Sequence, residues 1–189
     1  MERYEWEAIS ERVEIAERKA DVISAEEKIL NNAIEEVNNT IASFEVLEHL
    51  NVPCRVGTSS VSLGNAVVKM LRDIAEGLAK AKEKVRNASE EAKREVTELA
   101  RGISTEIRKF DIAKTKMEVA ARFLDHTDTA LFPGLAEDME KLESLFMESK
   151  KDAEESIQRL EEYRDRLHQV NERLEGSSSK AAPQPVTIG

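Results

Sequence analysis

The sequence predicts an all-α protein of three long helices, and its composition, apolar spacing and chain breaks support this. Charged residues make up 35% and aromatic residues 4% of the 189 residues, with only 7 glycines and 4 prolines. This composition is typical of long helices and coiled coils. We expect antiparallel helices at about 2–48, 60–125 and 134–175. They would form an elongated coiled-coil domain over residues 1–175, followed by a disordered tail at 176–189.

The first helix carries the clearest apolar line, at alternating steps of three and four residues. Glu27 is the one position on the line with a charged side chain. A second line, formed by Ala8, Ile15, Val22 and Ile29, runs beside the first and predicts two helix neighbours rather than one. The first line predicts a self-association seam of Trp6, Ile9, Val13, Ile23, Leu30, Ile34, Val37, Ile41 and Phe44.

The other two helices continue the seam. In the second helix the spacing passes through Ala81 and Ala88 and then shifts by one residue between Ala92 and Val96, which predicts a local unwinding of a supercoil. The third helix is predicted to stop before Gly176. The seam residues are Leu71, Ile74, Leu78, Leu99, Ile103, Ile107, Phe110, Met117 and Leu124 in the second helix, and Leu142, Phe146, Ile157, Leu160, Leu167 and Leu174 in the third.

The stretch LNVPCRVGTSSVSLGNAV, which follows the first helix, has the composition of a binding loop. Its two glycines have six residues between them and no following Lys-Ser/Thr, and no third glycine is present, so neither phosphate-binding glycine motif fits. Pro53 and Gly57 instead predict a turn, and the hydroxyl run predicts a helix cap. At the tip of this turn a partner could reach Val52, Cys54, Val56 and Val61.

The charges favour the second helix as the shared partner of the other two. Residues 1–48 carry 5 Lys and Arg against 13 Asp and Glu, a net of −8; residues 60–125 carry 14 against 11, a net of +3; residues 134–175 carry 7 against 13, a net of −6. Because the helices differ in length, each end of the rod would hold only two helices and expose part of its apolar stripe. We therefore expect a homodimer whose arms complete helical packing.

No residue cluster predicts catalysis, a cofactor or a metal. Cys54 lies near His49 and Arg55, which would suit an activated thiol, but a hairpin cysteine is the favoured interpretation. Asp125, His126 and Asp128 could ligate a cation, although helix capping explains the aspartates. The only cysteine excludes an internal disulfide. The sequence contains no signal peptide or transmembrane stretch, which predicts a cytoplasmic or nuclear protein.

These features predict a non-enzymatic structural or adaptor protein that self-associates and scaffolds partners. Nucleic-acid binding is disfavoured by the net charge of −10. One alternative is a membrane-binding module, because three long antiparallel helices that dimerise resemble the architecture of BAR domains in helix count and length. A second alternative is a helical-bundle pore-forming or cell-death effector.

Overall fold

The computed structural model describes residues 3–48, 53–56, 59–126 and 134–179. Three helices account for almost all of them: α1 (Arg3–Glu48), α2 (Leu63–Asp125) and α3 (Leu135–Ser179). Two short strands, β1 (Pro53–Val56) and β2 (Ser59–Ser62), lie between α1 and α2. The predicted all-α fold of three long helices is confirmed.

The segment between α1 and α2 forms a β-ribbon, which corrects the prediction of a simple turn. The strands β1 and β2 are antiparallel, with Cys54 opposite Val61 and Val56 opposite Ser59. Pro53 is the first residue of its strand, a position where a missing N–H is tolerated. Since residues 59–62 are extended, α2 begins at Leu63 and not at about residue 60.

The carboxyl end of α3 also differs from the prediction. The helix continues through Gly176 to Ser179. Glycine ends a helix when it adopts a positive φ, and Gly176 does not adopt one. The remaining ten residues of the predicted tail lie outside the described part of the chain.

A line of buried and half-buried residues along α2, called the covered line, keeps the same heptad phase along the helix. The predicted shift between Ala92 and Val96 is therefore wrong. The line passes through Ala75 and Ser89 rather than Ile74 and Ala88. Ser89 is 2% exposed, whereas Ile74 is 49% exposed. The buried or half-buried residues of this phase are Gly64, Val68, Leu71, Ala75, Leu78, Lys82, Val85, Ser89, Ala92, Val96, Leu99, Ile103, Glu106, Phe110, Ala113, Met117, Ala120 and Leu124.

The chain divides into two compact units, each of which includes parts of all three helices. Unit 1 consists of Met1–Ala16 and Glu95–Asn171, and unit 2 consists of Glu17–Arg94 and Glu172–Gly189. The core of unit 1 includes Val13, Val96, Leu99, Ile103, Leu160, Tyr163, Leu167 and Val170. The buried residues of unit 2 include Ala20, Ile23, Val68, Ala92 and Leu174.

Candidate interaction surface

Two ion pairs join α2 and α3 in unit 1. Lys114 Nζ lies 3.5 Å from Glu154 Oε1, and Lys150 Nζ lies 3.0 Å from Glu118 Oε1. Residue numbers rise along one helix as they fall along the other, so the two helices are antiparallel here. The second helical pair is defined as residues 110–125 of α2 with residues 135–150 of α3.

The contact between Glu118 and Lys150 shifts the pKa of both side chains. A hydrogen bond from Lys150, with its positive charge, lowers the pKa of the Glu118 carboxyl. The same hydrogen bond and the carboxylate charge raise the pKa of the Lys150 ammonium. Both side chains are about one third exposed. These charges therefore make one flank of the second helical pair polar at the level of Glu118 and Lys150.

On the opposite flank, a groove receives the beginning of α1. The Trp6 ring lies 4.8 Å from the Arg159 guanidinium carbon, a cation–π contact. The groove has a volume of about 480 Å³. Its lining is Trp6 from α1, Phe110, Ala113 and Met117 from α2, and Ser149, Asp152, Ala153, Glu155, Ser156 and Arg159 from α3.

Beyond Trp6 this flank continues as an apolar surface. Leu145 and Leu142 precede Ser149 by four and seven residues, so they lie on the same face of α3 as the groove lining. On α2, Val119 and Phe123 occupy the equivalent flanking positions, and equivalent flanks of antiparallel helices share one side. These four residues form the open face, with exposures of 55% for Val119, 77% for Phe123, 43% for Leu142 and 56% for Leu145.

The α2 edge of the open face carries a basic residue, and the α3 edge carries residues of both signs. Arg122 is the outward residue of the α2 edge, and Glu148 is the corresponding residue of the α3 edge. Both side chains are exposed. Lys141, also on the α3 edge, donates a hydrogen bond of 2.8 Å to Glu137 one turn away. The α2 edge is therefore basic at Arg122, and the α3 edge is acidic at Glu148.

Most residues of the predicted seam lie on covered faces, with two exceptions. Ile74 and Leu142 are exposed and do not lie on a covered face. The α2 phase puts Ile74 on the flank beside the covered line, and Leu142 belongs to the open face. The other predicted seam residues of all three helices are buried or half-buried.

The second apolar line of α1 is exposed where the prediction expects a second neighbour. Ile15, Val22 and Ile29 are all exposed, and only Ala8 is half-buried. In contrast to the open face, this line is one residue wide and is bordered by charged positions such as Arg18, Glu26 and Lys19. It therefore presents a narrow apolar surface on one helix.

The remaining predicted residues form no reactive cluster in the described structure. Cys54, Val56 and Val61 belong to the β-ribbon strands, whereas Val52 and His49 lie outside the described residues. His126 Nδ1 lies 2.9 Å from the Arg122 carbonyl oxygen at the end of α2. Over the described ranges, no three His, Cys, Asp or Glu side chains are grouped to hold a metal ion.

None of the helices, within the part of the chain that is described, contains an apolar stretch long enough to cross a bilayer. Comparisons of the sequence and of the fold with protein-family models, curated proteins and solved structures give no match. The assignment of function therefore depends on the physical character of these surfaces.

Sequence reasoning missed the open face as a unit. The predicted seam follows the heptad line and includes only Leu142 of the open face. The signal was present in the sequence, because Val119 and Phe123 occur at flank positions that are polar in a helix exposed to water. The contact between Trp6 and Arg159 carries no sequence signal, since it joins residues more than 150 positions apart.

Proposed function

We propose that this protein is a non-enzymatic scaffold that self-associates through apolar helical faces. The observation that carries the proposal is the open face in unit 1, where four large apolar side chains remain 43–77% exposed along one flank. The largest contiguous apolar patch of a monomeric protein typically covers about 300–600 Å² and is often functional, and larger patches mark interaction sites. Association would place this surface against another helical surface.

The charge pattern favours protein contacts over an anionic membrane. Four basic residues of α2 have acidic partners within the same helix: Lys80 lies 2.6 Å from Glu76, Arg86 2.5 Å from Glu83, Lys93 2.9 Å from Glu90 and Lys109 2.7 Å from Glu106. A membrane-binding module needs cations collected on one face. The local pairing lowers the net positive charge that this helix offers to lipid headgroups.

Sedimentation equilibrium of the whole chain at several micromolar concentrations tests the proposal. We expect a weight-average mass that rises with concentration toward twice the 21.3 kDa of one chain. A folded species that stays at the monomer mass throughout would overturn it. Vesicles containing anionic lipid provide the comparison, and we expect no salt-sensitive co-sedimentation with them.

A further inference from the structure

The open face has the geometry of an incomplete helical bundle. Nearer the middle of unit 1, the groove between α2 and α3 receives Trp6 of α1. Further along the same flank, beyond the groove, Val119, Phe123, Leu142 and Leu145 remain exposed. A two-helix pair buries one seam, and a second apolar flank requires further helices.

We infer that the open face is the dimer interface, and that it pairs with the open face of a second copy so that α2 of each copy lies on α3 of the other. This inference rests on the proposed function and adds its surface and its orientation. The result is a four-helix bundle at the second helical pair, with Val119, Phe123, Leu142 and Leu145 of both copies at its centre.

The choice of orientation follows from the charged edges. A two-fold axis parallel to the helices places each α2 edge opposite the partner's α3 edge, so Arg122 faces the partner's Glu148 and this contact occurs twice. A two-fold axis perpendicular to the helices would instead place α3 against α3 and bring the two Glu148 carboxylates to the same side. Opposite charges at facing edges favour the first arrangement.

The register between α2 and α3 places these two charges at nearly the same height. Glu118 lies opposite Lys150 within one chain. Arg122, four residues further along α2, is therefore level with Phe146 and two residues from Glu148. At a rise of 1.5 Å per residue, Arg122 and Glu148 differ in height along the helix axes by about 3 Å. Long side chains readily span this distance. The parallel two-fold axis preserves this height between the two copies.

The apolar area of the open face is of the size expected for a reversible dimer. The four side chains expose several hundred Å² of apolar surface, less than the roughly 800 Å² per partner of a standard interface. The exposed polar groups at both edges add to the buried area. We therefore expect a dimer dissociation constant in the micromolar range.

The first experiment compares two variants, in each of which one of two equally exposed valines is replaced by glutamate. Val119→Glu would bury a charge in the proposed interface, and we expect the dimer dissociation constant to rise at least about tenfold. Val22→Glu changes a residue that is 56% exposed on α1, against 55% for Val119, and we expect a change of less than about twofold. Circular dichroism checks that both variants remain helical.

The outcomes separate the inference from the proposed function. A dimer that is weakened by Val22→Glu and not by Val119→Glu would place the interface on α1, which overturns the inference and leaves the scaffold proposal standing. A wild-type chain that stays monomeric overturns both.

The second experiment tests the orientation by charge reversal. Arg122→Glu and Glu148→Arg should each weaken self-association, because each places like charges at both contacts between the edges. An equimolar mixture of the two variants should form a heterodimer as tight as the wild-type dimer, since every contact in it joins opposite charges. Singly substituted variants that dimerise as well as the wild type would rule out the pairing of α2 with α3.

Discussion

Two regions of this protein are built from pairs of helices, and the outward-facing residues of the two pairs differ in polarity. The first helical pair, in unit 2, joins residues 30–45 of α1 to residues 64–85 of α2, with Arg72 donating a 3.1 Å hydrogen bond to Glu45. Its outward α1 residues are polar: Glu35, Glu36, Asn38, Asn39 and Thr40. Among its described residues, only Met70 and Ile74 are exposed large apolar side chains.

The second helical pair, in unit 1, has an equally regular inner line but an apolar flank on both helices. A heptad line therefore shows which side of a helix is covered by its neighbour. It says little about whether the resulting pair of helices needs a further helix to cover its flanks. The flanking positions carry that information, because they meet either water or a further helix. The following predictions test whether the two pairs differ in this way.

The largest expected effect comes from removing one phenylalanine from the inner line of each pair. Phe44 and Phe146 are both half-buried, so Phe44→Ala and Phe146→Ala should each lower the free energy of unfolding by about 2 kcal/mol. Urea unfolding at two protein concentrations separates them. The stability of the Phe44→Ala variant should rise with concentration as much as that of the wild type, because the proposed dimer interface lies on the second pair.

The Phe146→Ala variant gives the sharper contrast, because its substitution lies beneath the proposed dimer interface. We expect a weaker dimer and therefore a smaller rise in stability with concentration than in the wild type. An unchanged concentration dependence for Phe146→Ala would show that the second pair does not require a partner, and the distinction between the two pairs would fail.

A smaller effect is expected at Ser89, on the stretch of α2 that follows the first pair. Its hydroxyl is buried and has no hydrogen-bond partner among the described residues, which costs stability because water is lost without replacement. Ser89→Ala should raise the free energy of unfolding by about 1 kcal/mol.

Ser104→Ala is the matched control, since the Ser104 hydroxyl donates a 2.9 Å hydrogen bond to the Ala100 carbonyl oxygen. Its effect should stay within about 0.5 kcal/mol, as at most sites without such a defect. Destabilisation by Ser89→Ala, measured by urea unfolding, would contradict the buried position of this hydroxyl.

The smallest effect concerns the polar flank of the second pair. Because Lys150 lowers the pKa of Glu118, the pair's contribution to stability is present above the ordinary glutamate pKa of about 4.3 and is lost as pH falls through the lowered pKa. Lys150→Met should return the pKa of Glu118 toward its ordinary value, measured by carboxyl NMR titration.

The neighbouring Lys151→Met substitution is the control. Lys151 pairs with Glu155 at 3.8 Å, and both side chains are exposed, so its removal should leave the Glu118 titration unchanged. Equal shifts from both substitutions would show that Glu118 responds to the general charge of α3 rather than to the contact with Lys150.

The inner lines of the helices could be predicted because they depend on local spacing. Val13, Leu160 and Leu167 are completely buried, at positions where alternating steps of three and four residues place them. The phase of α2 was harder, because Ala88 and Ser89 are both small and either could face the interior. The more apolar residue, Ala88, predicts a shift that the structure does not contain.

The candidate surface was predictable in part. The sequence indicated that regions of only two helices would expose apolar side chains, but it did not identify Val119, Phe123 and Leu145 as their continuous surface. That surface depends on the antiparallel register set by Lys114, Glu118 and their partners on α3. Such a register joins residues distant in sequence and has no local signature.

By itself, the sequence determined the number, class and approximate limits of the helices, because helical periodicity and chain-breaking residues act over a few neighbouring positions. The tertiary structure decided where α2 begins, since extended residues 59–62 pair with 53–56 in the β-ribbon. It also decided which flank of the second helical pair receives α1 and which is closed by ion pairs. The physical reason is that covering a helical face requires a partner at a matching height and rotation, and those two quantities arise only when the helices meet.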